Sequence, residues 1–283
     1  MRNRECMTFE WPSLPALPAR PRNAHKGCFG HVHVVGGGPQ MGGALVLASM
    51  AAYAAGAGLV TAVGHPDARI YLAATLPEAI WWDWPARFSG RLPAGSVLAI
   101  GPGLGQGLAA HDMVQEIGQL PFTQVWDADA LNILARLGPG ILQEPAVRVF
   151  TPHPGEAGRL LGVHASVIQE DRAGAIQTLW ERYGGVWVLK GEGTLVLGDT
   201  LFGRCPSGNP GMAKGGTGDV LTGLLAGLLA LGLEAGAAAA IGVCCHARAG
   251  DLAGQERGVN SLLAGDILDR LPKILQEKSQ HCQ

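Results

Sequence analysis

Short apolar runs broken by glycine and proline alternate with alanine-rich stretches along most of the chain. His31-Val32-His33-Val34-Val35 alternates and is β-branched, which predicts a strand, and Gly36-Gly37-Gly38 ends it. An Ala-rich helix is expected over 44–55 and a second strand over 59–63. Strand, helix, strand in that order favours a parallel pair joined by a right-handed crossover. The rhythm continues with strands over 96–100, 124–126, 147–150 and 186–189. Helices are expected over 109–117, 130–137 and 171–183, with another beginning at 157–161. Residues 194–197 and 200–203 predict a hairpin around Gly198-Asp199, and two late helices are expected over 235–252 and 262–271. No internal repeat or composition break interrupts this. The pattern predicts one three-layer α/β/α domain with a mostly parallel central sheet over 26–275. A Pro-rich arm, extended or disordered, is expected over 1–25, and a polar, fraying tail over 276–283.

Two apolar runs, 42–63 and 221–245, are long enough to raise the question of a membrane span. The first contains Tyr53 and Gly56-Ala57-Gly58, which fits a helix-to-strand turn; the second is split by Glu234. Small-residue helices packed closely in a soluble core are the expectation for both. Residues 1–10 are charged and lack the apolar stretch of a signal peptide. An apolar fraction of 47% supports a large core, and a net charge of −2 gives no reason to expect nucleic acid or an anionic membrane as partner. Any anionic ligand must then be held by local devices. The 43 glycines cluster at strand ends, where such devices are built. None of Cys6, Cys28, Cys205, Cys244, Cys245 and Cys282 forms a C-x-x-C pair, so no metal cluster is indicated. Cys244 and Cys245 lie in an apolar helical run and are expected as buried free thiols in a reducing cytoplasm.

In open α/β sheets, ligands bind beyond the carboxyl ends of the strands. That rule places the loops 101–105, 127–129, 151–156 and 190–194 on one rim, and these are rich in Gly, Pro, His, Asp and Lys. A further stretch over 207–232, SGNPGMAKGGTGDVLTGLLAGLLALG, predicts a Gly-rich loop opening into a buried helix. Amides of 214–218 can curl around an anion, aided by the positive end of the helix. Asp219 falls in the first turn, beside the anion, which makes sense if it takes a proton from a group involved in phosphoryl transfer. Gly36 to Gly43 lacks the spacing of a dinucleotide fingerprint, and 208–214 is not a Walker A loop. The first of these fits a substrate-facing turn, with small Ala44 at the helix start touching ligand. His153, between two prolines, fits ligand binding better than a purely local role. Glu156 fits either helix N-terminal charge stabilisation or Mg²⁺ coordination through water. Lys190 and Lys214 together offer two cations for a polyphosphate. Asp127 and Asp129 fit caps of the helix at Ala130 at least as well as metal ligands. Trp81-Trp82-Asp83-Trp84 fits core packing or a subunit contact.

The combination of segments resembles one family. These are Lys26-Gly27-Cys28-Phe29-Gly30, Gly101-Pro102-Gly103-Leu104-Gly105, Asp127-Ala128-Asp129-Ala130-Leu131-Asn132, Thr151-Pro152-His153-Pro154-Gly155-Glu156, Leu189-Lys190-Gly191 and Asn209 through Asp219. Together, over residues 26–272, they resemble the ADP/ATP-dependent NAD(P)H-hydrate dehydratases of the ribokinase-like superfamily. The resemblance implies repair of hydrated NADH and NADPH, with ADP, or less readily ATP, as co-substrate and Mg²⁺ as cofactor. It implies Asp219 as the base on the 6-hydroxyl, and Ala44, Gly105, His153 and Asp219 as contacts to the hydrated cofactor. It assigns Lys190, Gly191, Glu192, Gly193, Thr194 and Gly218 to the adenine nucleotide, and Gly216, Thr217 and Gly218 to an anion hole. Glu156 alone is retained from the Asn-x-x-Glu motif that organises Mg²⁺ in ribokinase-like relatives. The family habit is a homotetramer. Members often carry a fused epimerase, which residues 1–25 are too short to supply, so a separate epimerase chain is expected. Two other readings remain: a ribokinase-like kinase of a vitamin-precursor alcohol, and a nucleotide-binding sensor without turnover.

Overall fold

Strands made of Val, Leu, Ile and Ala, apolar on both faces, have to lie between two layers of helix. In the computed structural model, which describes residues 5–279, they do. The strands are β1 (Met7–Thr8), β2 (His31–Val35), β3 (Leu59–Gly64), β4 (Ile80–Asp83), β5 (Ser96–Ile100), β6 (Thr123–Trp126), β7 (Arg148–Phe150), β8 (Val186–Leu189), β9 (Leu195–Leu197) and β10 (Phe202–Arg204). They form one sheet in the order β1-β10-β9-β8-β7-β6-β5-β2-β3-β4. Only the two pairs that β9 makes, with β8 and β10, are antiparallel. Neighbours in register, such as His33 with Thr61 and with Leu98, show β2 flanked in parallel on both sides.

The helices are α1 (Gly42–Ala54), α2 (Arg69–Thr75), α3 (Leu108–Gly118), α4 (Ala128–Leu137), α5 (Pro154–Leu161), α6 (Ala165–Glu170), α7 (Arg172–Tyr183), α8 (Thr217–Ala230), α9 (Ala235–Arg257) and α10 (Ala264–Ser279). Strand alternation divides the core between the two faces. Val32, Val34 and Val60 pack with α1, α8, α9 and α10; Val35, Val63, Leu98 and Ile100 pack with α3, α4, α5 and α7.

The first face is built on close helix contact. A Cβ added at Gly223 would lie 1.9 Å from the carbonyl oxygen of Ala48, so α8 and α1 touch backbone to backbone there. That contact accounts for the Gly- and Ala-rich apolar runs. The first run divides into α1 and β3, the second into α8 and α9. Among the described residues no helix is long and apolar enough to cross a membrane. Cys205, Cys244 and Cys245 are buried free thiols, Cys6 and Cys28 are exposed, and Cys282 lies outside the described residues.

The ends of the chain differ from the sequence-based expectation. Residues 5–25 are docked, not a loose lead-in: β1 pairs with β10, Phe9 N–H donates to the Arg204 carbonyl at 2.9 Å, and Leu14 and Leu17 are buried. The last helix passes through Pro272 to Ser279 instead of stopping at 271. Burial of Ile274 and Leu275, and the bond from Lys278 Nζ to the Trp11 carbonyl at 2.8 Å, offset the cost of an interior proline. Residues 276–279 of the expected fraying tail are therefore helical, and 280–283 lie outside the described residues. Strand β4 was hidden in the aromatic cluster. It is the sheet's far edge, where Trp82 sits 5.3 Å from the His33 ring and beneath the Arg91 guanidinium.

Candidate functional site

Strands β5, β6, β7 and β8 are adjacent and parallel, so their four carboxyl-end loops lie side by side. The cluster on this rim begins with Asp127 at the end of β6. Its carboxylate is buried and accepts from Lys190 Nζ at 2.7 Å, Thr151 Oγ1 at 2.8 Å and Thr222 Oγ1 at 2.7 Å. Burial alone would raise this carboxyl; the Lys190 charge and the Lys190 and hydroxyl hydrogen bonds outweigh it and hold the group below its usual range. Lys190, at the end of β8, is pushed down by burial but held above its ordinary value by Asp127 and Glu156. The two therefore form a buried ion pair that stays charged.

Asp127 stands at the N-cap position of α4, but neither its side chain nor that of Asp129 supplies the cap bond that was one of the two roles open to them. That helix begins at Ala128 with no side-chain cap bond, because Asp127 points to Lys190 and Asp129 turns to the loop after β5. Asp129 Oδ2 accepts from Gly105 N–H at 2.8 Å, and its Oδ1 accepts from Gln106 Nε2 at 3.1 Å.

His153 is the N-cap of α5. Its Nδ1 accepts from Gly155 N–H at 2.9 Å while Glu156 Oε2 accepts from His153 N–H at 2.8 Å, a reciprocal capping box. With Nδ1 accepting, the network assigns the proton to Nε2, which lies 3.2 Å from Glu156 Oε1. Burial, then the charges of Lys190 and Arg159, lower the His153 pKa, so the ring is neutral at pH 7. Glu156 is 3.9 Å from Lys190 Nζ and is raised to about 7, by burial first and by Asp127 second. Its side chain thus stabilises the start of α5 through the capping-box hydrogen bond.

Helix α8 closes the cluster. Gly216 is its N-cap at φ 92°, a left-handed conformation that favours glycine. The amides of Thr217, Gly218 and Asp219 fall in the first turn, where no preceding carbonyl can pair with them. The Thr217 hydroxyl is turned back onto the Met212 and Lys214 carbonyls, both at 2.9 Å, so its amide, not its side chain, is left for an anion. His246, buried in α9, lies 2.9 Å from the Thr217 carbonyl and braces the turn. A Cβ at Gly218 would sit 3.3 Å from Lys190 Nζ, so the α8 turn rests directly on the ion pair. Asp219 is raised to about 6, by burial first and by Asp127 second, against the opposing pull of Lys190.

Asp219, Gly218, Lys190, Glu156 and His153 are thus brought together. Gly105 joins them through Asp129, and Ala44 lies at Gly103, where an added Cβ would be 3.0 Å from its methyl. The loop Gly191 to Thr194 follows Lys190, and Arg172 holds its entry by donating to the Leu189 and Lys190 carbonyls at 3.0 and 3.3 Å. Lys214 does not join Lys190, because its Nζ donates to the Asn260 carbonyl at 2.7 Å. A concavity of about 570 Å³ beside α1 is lined by Gly38, Gln40, Gly43 and Tyr71; none of Asp127, Glu156, Lys190 or Asp219 borders it. Sequence reasoning misses Thr151, Thr222, His246 and Arg172. The spacing of Thr222 from Gly218, one helical turn, is the available signal for one of them.

A mostly parallel sheet whose strand ends meet a Gly-rich turn and an acid-bearing helix defines a ribokinase-like α/β fold. The family model for NAD(P)H-hydrate dehydratase matches residues 32–273. The chain is 43% identical over 270 residues to the bifunctional NAD(P)H-hydrate repair enzyme Nnr of Coxiella burnetii, covering 93% of this chain and 54% of that protein. It is 38% identical over 263 residues to the ADP-dependent (S)-NAD(P)H-hydrate dehydratase of Neisseria meningitidis, covering 88% and 86% of the two chains. The crystal structure of the Bacillus subtilis ADP/ATP-dependent NAD(P)H-hydrate dehydratase with ATP/Mg²⁺ superimposes with a TM-score of 0.84 at 29% identity, covering 94% and 99%. The chain belongs to the NAD(P)H-hydrate dehydratase family. It spans about half the length of its bifunctional relatives.

Proposed function

We propose that this protein dehydrates the (S)-hydrates of NADH and NADPH at the expense of ADP, releasing AMP and phosphate. The observation that carries the reading is Asp219: a largely buried carboxyl, raised to about 6, next to the unpaired amides of the α8 turn. A base needs a pKa near the working pH, and a transferring phosphoryl group needs fixed donors. Asp219 takes the proton of the substrate 6-hydroxyl. The oxygen forms a bond to the terminal phosphorus of ADP, and AMP leaves. The C6–O bond then breaks toward phosphate while a proton leaves C5, restoring the ring double bond. Phosphate replaces hydroxide as leaving group, which is why a nucleotide is consumed.

Ala44, Gly105 and His153 contact the hydrate in this reading. Lys190, Gly191, Glu192, Gly193, Thr194 and Gly218 hold the adenine nucleotide, and the amides of Gly216, Thr217 and Gly218 hold the moving phosphoryl group. The residues fit Mg²⁺ bound chiefly by nucleotide phosphates. Among the described residues no three His, Cys, Asp or Glu side chains gather to hold a metal, whereas Mg²⁺ needs only one or two carboxylates plus phosphates and water. Glu156 would hold it through water, and the ion would neutralise phosphate charge. The relatives named bifunctional support pairing with an epimerase activity. Exposed Ile70 and Tyr71 support assembly, which we read as a cytoplasmic homotetramer testable by light scattering.

The test is recovery of reduced-nicotinamide absorbance from the hydrate with Mg²⁺ and either ADP or ATP. No recovery with either nucleotide refutes the proposal. Asp219→Asn is expected to abolish turnover in a folded protein.

A further inference from the structure

The proposed substrate carries a pyrophosphate, and one of its two forms a further phosphate. The rim that receives it is crowded with carboxylates: Asp127, Asp129, Glu156 and Asp219. The nearby lysines are engaged, Lys190 with Asp127 and Lys214 with the Asn260 carbonyl. Something else has to meet the phosphates.

Two exposed guanidiniums stand at the edge of this rim, and both are tied to the loop that carries Gly105. Asp129 holds Gly105 N–H and also Gln106 Nε2; the Gln106 carbonyl oxygen in turn accepts from Arg136 Nη2. Asn132 Nδ2 is 3.4 Å from Asp129 Oδ1, and Asn132 Oδ1 accepts from Arg159 Nη1 at 3.0 Å. One carboxylate thus fixes a substrate-side backbone amide and, through two amide side chains, two arginines. Arg159 lies six positions beyond His153 on α5, and helical side chains lean toward the N-terminus, which here is the rim. Its charge is felt at both His153 and Glu156. Each guanidinium has five N–H donors, and these bonds use one apiece.

We propose that Arg136 and Arg159 bind the phosphates of the hydrated dinucleotide, with Asn132 and Gln106 as the residues that position them. The inference rests on the dehydratase reading for its ligand. A planar fork suits phosphate oxygens, and the anchoring amides reduce the freedom lost on binding.

The test uses the full chain, with Arg136→Ala, Arg159→Ala, the double variant and the double Lys replacement. Three quantities are measured: KM for NADH and NADPH hydrates, KM for ADP, and Kd for NADPH by calorimetry, which needs no turnover. Loss of one charge-assisted contact weakens binding by about tenfold. The double variant is expected to raise hydrate KM and NADPH Kd at least that much, to leave ADP KM within twofold, and to be partly rescued by lysine. Unchanged hydrate KM and NADPH Kd overturn the proposal, as does a rise confined to ADP KM. If wild-type protein binds NADPH through these arginines but turns over no hydrate, the subsite stands and the dehydratase reading falls. If it neither binds nor turns over, both fall.

Discussion

Replacing Gly223 by alanine sets two effects of opposite sign against each other. In an open helix the change favours folding by up to about 1 kcal/mol, since glycine has more backbone freedom to lose. At this site the new methyl would lie 1.9 Å from the Ala48 carbonyl oxygen and 2.7 Å from its carbon. Those atoms are backbone, so no side chain can swing aside. Restoring ordinary contact requires α1 and α8 to separate by more than about 1 Å in a close-packed layer. Overpacking of this kind costs about 1–3 kcal/mol, with the upper end appropriate where backbone meets backbone. The net expectation is a loss of about 2 kcal/mol, or a fall in Tm of about 3 °C. The separation also moves Gly216, where an added Cβ would be 2.8 Å from Leu47 Cδ1 of α1, so turnover is expected to fall below the melting range too. Gly265→Ala in α10 is the control, because a methyl there meets nothing within 4 Å. Thermal melts of the two variants beside wild type decide the matter. A Tm for Gly223→Ala at or above wild type would refute the claim that backbone contact, not helix propensity, governs this layer.

The remaining expectations concern charge. With Asp219 raised to about 6, kcat/KM should fall about tenfold per pH unit below that value, and a kcat/KM flat down to pH 5 would remove Asp219 as the base. His33 is fully buried, neither ring nitrogen has a partner, and its pKa is lowered to about 3 by burial and by His31. The unfolded chain takes that proton near 6.5, so stability is complete above this pH and falls by up to about 1.4 kcal/mol per unit as pH drops toward 3. His33→Leu should flatten the pH dependence of Tm between 7.5 and 4.5, and an unchanged slope would contradict the assignment. Lys190→Met leaves Asp127 buried without its counter-charge and should cost about 3–5 kcal/mol in urea unfolding. Adding Asp127→Asn should recover part of that loss; additive losses would show the pair is not coupled.

The rim was legible in the sequence because it follows from rhythm. Strand, helix, strand in parallel order sends each strand's end to the same edge, so the loops at 101–105, 127–129, 151–156 and 190–194 had to converge. The ends of the chain were not legible, because what holds them is distant. The proline that stops a helix by local rule, Pro272, is overridden by Ile274 and Leu275 in the core and by Lys278 reaching Trp11, 267 positions away. The same distance effect governs the site. Lys190 and Asp127 are 63 positions apart, and each alone suggested an ordinary role, the lysine as a phosphate-binding cation and the aspartate as a helix cap. Joined at 2.7 Å they become an ion pair of zero net charge, and that changes the chemistry around it. A lone lysine beneath Gly218 would pull the Asp219 pKa down and make it a weak base. With its charge largely met by Asp127, Lys190 lowers Asp219 less than burial and Asp127 raise it, and the carboxyl ends at about 6. The basicity of Asp219 is thus set first by its burial and then by Asp127, a partner bound to a lysine that the sequence presents as free. Replacing Asp127 alone by asparagine should therefore shift the acid limb of the rate profile to lower pH before it alters any contact to substrate.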